Sequence, residues 1–149
     1  MPGPPTVIAG HDGSAHGFDA IAHAQRIAAA QDAHVVVIHV IEHQMPFTSR
    51  DPIYQHQQRD RVAKVFAPIH EIFGSEIETR VVSAASAPAG LHRAAEDEHA
   101  LAVVVGPSHH GRVGEVLYGD VAHWLMRRCD CPVEVAPVGA HAAPVPHAG

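Results

Sequence analysis

Residues 33–42, "AHVVVIHVIE", are apolar almost without interruption. A strand with one face in water alternates apolar and polar side chains, whereas a strand buried on both faces does not. Such strands belong to parallel sheets, and parallel neighbours require a crossover, usually a helix. "LAVVVG" (101–106) reads the same way, and "TVIAGH" (6–11) is a short β-rich run ending in the turn "HDGS". "EIETRVVSA" (76–84) alternates and then turns apolar, and "PVEVAP" (132–137) is the fifth run.

Helical spacing fills the intervals. Phe18, Ile21, Ala24 and Ala28 share one face of a helix over 15–30, with Ser14 or Asp12 as its cap. Val62, Val65, Phe66, Ile69 and Phe73 share a face over 55–73, which Gly74 ends; the prolines of "HQMPFTSRDPIY" argue against an earlier start. Residues 86–99 form a helix with Pro88 in its first turn and Leu91, Ala94 and Ala95 inward. Residues 118–129 form another, with Val121, Leu125 and Cys129 on one face and Arg127 and Arg128 suiting its C-terminal dipole. The order β-α-β-α-β-α-β-α-β predicts an α/β fold, an open parallel sheet with helices on both faces. One domain over 1–137 is expected, followed by a loose tail, 138–149, rich in Pro, Ala and Gly. In such folds ligands sit beyond the carboxyl ends of the strands, where strand order reverses. The loops after the first and fourth strands are therefore the ones to inspect.

Composition narrows the function. The net charge of −6, with histidine neutral, argues against a broad nucleic-acid or anionic-membrane surface. No apolar run reaches the roughly 20 residues of a membrane span, and the opening "MPGPPTVIAG" lacks the pattern of a signal peptide. Cys129 and Cys131 suit neither an ordinary disulfide nor a complete zinc site, so a cytoplasmic protein with reduced thiols is expected. Fifteen histidines would carry the charge from −6 to +9 if all were protonated; solvated histidines are the plain reading and pH sensing the sharper one.

The chain resembles the universal stress protein family along nearly its whole length, Thr6 to Pro137. "VIAGHDGS" is similar to that family's opening strand and turn, "VVVIHVIE" to its second strand, "APAGLHRAAEDEHALAVVVG" to its third helix and fourth strand, and "GDVAHWLMRRCDCPVEVAP" to its close. The resemblance implies a Rossmann-like five-stranded sheet in the order 3-2-1-4-5 and a homodimer formed through the last strand, Val133–Val135. One branch of the family binds ATP through a loop reading Gly, two residues, Gly, nine residues, Gly, then Ser or Thr. In "GPSHHGRVGEVLYGD" the first and last glycines are Gly106 and Gly119, thirteen apart as that loop requires. The middle glycine falls on His109 and the terminal hydroxyl on Asp120. By the same resemblance Asp12 approaches the ribose or metal end of the nucleotide, Val40 the adenine, and Val121 follows Asp120 at the phosphate end.

The two replacements act directly on phosphate. A side chain at 109 makes positive φ and a close backbone approach costlier. Asp120 can cap the helix that follows, but an ionised carboxylate only accepts hydrogen bonds and repels phosphate; two like charges about 4 Å apart cost roughly 4 kcal/mol at an effective dielectric of 20. Against this stand His109 and His110 if protonated, Arg112, and the extra glycines Gly111 and Gly114. The expected function is a small stress-response binding protein, not a robust enzyme, whose ATP binding is weak or lost and which acts through protein partners. The alternative is a nucleotide-dependent ATP switch with slow hydrolysis.

Other chemistry fits less well. "GPSHHGR" departs from a phosphate-binding P-loop, with Arg112 in place of Lys and Val113 in place of Ser or Thr. His109, His110 and Asp120 lack the spacing of a full metal-ligand set, so no metal is predicted. Ser14 after His11 and Asp12 invites a nucleophile–base reading, but a turn with a helix cap explains it more simply.

Overall fold

The computed structural model describes residues 4–42, 52–108 and 112–142. Nine elements follow the expected alternation: β1 (Thr6–Gly10), α1 (Ala15–Gln31), β2 (His34–Glu42), α2 (Pro52–Phe73), β3 (Glu78–Ala84), α3 (Ala87–Glu98), β4 (Ala102–Val105), α4 (Asp120–Arg128) and β5 (Val133–Val135). All four pairings are parallel, in the order β3-β2-β1-β4-β5.

The central strands divide their side chains between two cores. Val7, Ala9, Val37 and Val104 point to one face, where α1 contributes Ile21, Ala24 and Ala28 and α2 contributes Ile69. Ile8, Val36, Ile38, Val103 and Val105 point to the other, against Leu91, Ala94 and Ala95 of α3 and Leu125 of α4. Val7, Ile8 and Ala9 are fully buried, which is why the run needs no polar alternation; each such Val or Ile contributes about 1.5–3 kcal/mol.

Three local expectations are corrected. The second helix begins at Pro52, earlier than read, because proline suits a first helical position whose amide has no partner; Pro68 also lies within it. At α1, Ser14 is the N-cap residue but its side chain makes no cap bond; its hydroxyl donates to Asp12 instead. Asp120 does not cap α4 either: Gly119 is the N-cap and Asp120 the first helical residue.

The C-terminal segment also differs. The packed unit does not stop at 137. Residues 138–142 turn back onto α1, burying Ala140. Asp19, only 4% exposed, accepts the amides of Gly139 and His141 at 3.1 and 3.0 Å and the His141 ring nitrogen Nδ1 at 3.1 Å. Arg26 donates to the Ala140 carbonyl at 2.8 Å. The amide of Gly114 donates to Val138 and the amide of Val138 to Glu115, both at 2.8 Å, so this segment also holds the chain leading into α4. Residues 143–149, the rest of the expected tail, lie outside the described residues.

Hydrogen bonds to a buried carboxylate are each worth about 1.5–3 kcal/mol, and removing the acceptor strands its donors. Asp19→Ala is expected to lower stability by about 2 kcal/mol. Denaturant unfolding checks this; an unchanged midpoint would mean that the clasp contributes nothing.

Candidate functional site

Strand order reverses at β1, whose neighbours β2 and β4 connect in opposite directions along the sheet. The loops after β1 and β4 separate there, leaving a cavity of about 550 Å³. Asp12, Val40, Gly106, Gly119, Asp120 and Val121, six of the seven expected site residues, line it. His109, the seventh, lies outside the described residues, as do His110 and Gly111. Arg112 is not among the lining residues; its amide donates to the Glu115 carboxylate.

The glycines set the geometry by contact. A Cβ on Gly106 would sit 2.3 Å from the His16 carbonyl oxygen, so only glycine lets β4 run this close to the first turn of α1. A Cβ on Gly119 would meet the Ser108 hydroxyl at 2.6 Å. Gly90 lets α3 press against β2, where a Cβ would lie 2.8 Å from the methyls of Val40.

Electrostatically the cavity is mixed. The N-termini of α1 and α4 both border it, and neither is capped by a side chain. First-turn amides and the helix dipole favour an anion, although the Gly17 amide of α1 already donates to the Ser14 carbonyl. Opposing them are three carboxylates, Asp12, Glu42 and Asp120; no Lys or Arg appears among the described lining residues. Burial pushes the Asp12 pKa up, but hydrogen bonds from the Ser14 hydroxyl and amide, with help from His11, bring it below the usual carboxylate value. Asp12 is therefore ionised at neutral pH and can accept from a sugar hydroxyl.

His11, His16 and Ser108 are site residues that the sequence reading did not assign. His11 lines the cavity floor and is 4% exposed. Its amide donates to the Ile38 carbonyl at 3.0 Å, and its carbonyl accepts from His39 Nδ1 at 2.9 Å. Its ring packs 5.0 Å from Phe18, centroid to centroid. No hydrogen bond of ordinary geometry reaches His11 Nδ1, although the Gly17 backbone lies alongside. Burial lowers its pKa, offset in part by Gly17 and Asp12 and reinforced by His39. Ser108 sets a hydroxyl beside Gly119 at the start of α4, close to where the family pattern carries Ser or Thr.

The remaining candidates resolve. Ser14 donates to Asp12 and not to His11, so the described contacts form no nucleophile–base pair. Burial raises the Cys129 thiol to about 11 and also raises Cys131, leaving both free thiols largely un-ionised. Trp124 packs on the second core, with the Arg128 guanidinium 4.1 Å above its ring. Among the described residues no three His, Cys, Asp or Glu side chains gather to hold a metal ion, and no helix is long and apolar enough to cross a membrane.

Because the Gly106 contact is with backbone, Gly106→Ala is expected to cost about 1–3 kcal/mol, as overpacking generally does. Thermal or denaturant unfolding measures it. Wild-type stability would show that the first turn of α1 yields freely.

Comparisons with known proteins agree with this geometry. The family model described as "Universal stress protein family" matches residues 5–137. The Thermus aquaticus protein "Universal stress protein in QAH/OAS sulfhydrylase 3'region" is 27% identical over 131 residues, 86% of this chain and 95% of that protein. Among solved structures, universal stress protein UspA from Lactobacillus plantarum superposes with a TM-score of 0.70 at 16% identity, covering 89% of this chain and 97% of that one. A universal stress protein in complex with cAMP gives a TM-score of 0.56 at 26% identity, covering 90% and 97%.

Proposed function

The chain belongs to the universal stress protein family, and from that premise we propose that its cleft holds an adenine nucleotide with few phosphates and takes up ATP weakly or not at all. It is a regulatory binding protein rather than a catalyst. The observation that carries this reading is the charge of the cavity wall: two helix N-termini suit one phosphate, whereas three carboxylates, with no Lys or Arg among the described lining residues, oppose a triphosphate. Val40 supplies an apolar wall for the base, and ionised Asp12 an acceptor for the ribose. Ser108 offers a hydroxyl for the single phosphate, near the position that Asp120 makes repulsive. The relative solved with cAMP carries a nucleotide of this kind. Its substitutions at 109 and 120 separate this chain from the family's ATP-binding pattern. The retained frame of Gly106 and Gly119 favours the alternative, an ATP-dependent switch.

The protein also pairs with a second copy through β5. Among the described residues this strand ends the sheet, and no strand pairs with its outer edge. The Pro132 carbonyl and the Ala136 amide bond to β4, so by alternation the Val133 and Val135 amides point to the open edge.

Calorimetry with AMP, cyclic AMP and Mg-ATP is expected to rank the monophosphates at least about tenfold tighter than ATP. A dissociation constant for Mg-ATP at or below the low micromolar range would overturn the reading. Converting the loop with His109→Gly and Asp120→Ser is expected to strengthen ATP binding by about tenfold or more; no gain would place the obstacle elsewhere. Val133→Pro removes an outward amide without touching the β4 ladder and is expected to turn a dimer into a monomer in sedimentation. A variant that remains dimeric would exclude β5 as the interface.

A further inference from the structure

The first turn of α1 is held between two close contacts. On one side the His16 carbonyl lies against Gly106, where a Cβ would approach to 2.3 Å. On the other the His11 ring lies against Gly17, where a Cβ would sit 1.9 Å from Nδ1. Both contacts are possible only because one partner is glycine, and both border the cavity. The position of this turn relative to β4 is thus determined by the ring beneath it.

We propose that neutral His11 is the positioning residue of the cleft: its ring supports the first turn of α1 against Gly106, and proton uptake by that ring displaces the turn and weakens nucleotide binding. The functional half of this statement rests on the nucleotide reading above; the structural half does not. An imidazolium needs an acceptor for each N–H. Nδ1 has none at ordinary hydrogen-bond geometry; the Gly17 backbone alongside offsets only part of the cost of burial, and its amide is committed to the Ser14 carbonyl at 3.0 Å. The nearest carboxylate, Asp12, is engaged by both the amide and the hydroxyl of Ser14. A buried N–H at Nδ1 without an acceptor of ordinary geometry is unfavourable, so that edge of the ring must gain water or the turn must move.

The surrounding titratable groups do not relieve this. Asp12 on the same loop attracts the cation, and His39 on β2 opposes it. On α1, His16 and Asp19 lie 4.0 Å apart, and Asp19 also binds His141, whose ring packs 5.8 Å from that of Phe18. The direction follows from linkage. Burial holds the native ring below the ordinary value of 6.5, so the unfolded chain takes up this proton first. The native state is at full strength above pH 6.5 and loses stability as pH falls below it, until the native ring also titrates.

The test measures AMP affinity and denaturant stability from pH 5 to 7.5 in the wild type and in His11→Leu. It also follows the His11 ring resonances in histidine-labelled protein. In the wild type, affinity is expected to fall by about tenfold towards pH 5, with the His11 resonance titrating below 6.5. Whatever its affinity at pH 7.5, His11→Leu is expected to hold it within about twofold across the range. An equal fall in the variant would assign the effect to other histidines and overturn the proposal, as would a His11 resonance that titrates at or above 6.5. If AMP binds at no pH, the nucleotide reading fails, and the stability profiles decide the positioning role: a pH slope present in the wild type and reduced in His11→Leu supports it, and identical slopes refute it. Should His11→Leu fail to fold, the wild-type resonance and pH slope decide alone.

Discussion

The parallel ladder that β1 makes with β2 on one side and β4 on the other is the constraint from which the rest follows. A strand paired on both edges and covered on both faces has no route to water, so Val7, Ile8 and Ala9 must all be apolar. Its carboxyl end must open between two loops, because the next strand to one side is β2 and to the other β4. The cleft is a by-product of this topology before any side chain is chosen for ligand chemistry.

What the side chains add is close approach and charge. Glycines at 17, 90, 106 and 119 draw helices and loops nearer than any Cβ allows. Two uncapped helix starts then face a wall carrying Asp12, Glu42 and Asp120. The balance between amide dipoles and carboxylates, rather than the outline of the cavity, separates a site for one phosphate from a site for three.

The parallel sheet and all four helices were legible in the sequence, because buried parallel strands and amphipathic helices have different periods; the strand order came only with the family resemblance. Gly106, Gly119, Asp12 and Val40, which the family resemblance pointed to, do line the cleft. The capping roles were not legible, because short Asp and Ser side chains near a helix start can bond to several local backbone groups, and only the folded chain selects among them. The start at Pro52 was missed because proline reads as a breaker when its N1 role is overlooked. His11 stayed hidden for a related reason: within "HDGS" it reads as an exposed turn residue. Gly17, an isolated glycine inside a helical pattern, was the available signal of a close neighbour.

The contact between Asp19 and residues 139–141 joins parts of the chain some 120 positions apart. It acts on the native ensemble as a reversible cross-link. Helix α1 cannot open locally without freeing the C-terminal turn, and that turn carries the backbone bonds to Gly114 and Glu115. Amide protons at these three places are therefore expected to exchange with solvent as one cooperative unit. A ligand that stabilises the chain entering α4 is expected to slow exchange at Gly139 and His141 as well, far along the chain from the residues it touches.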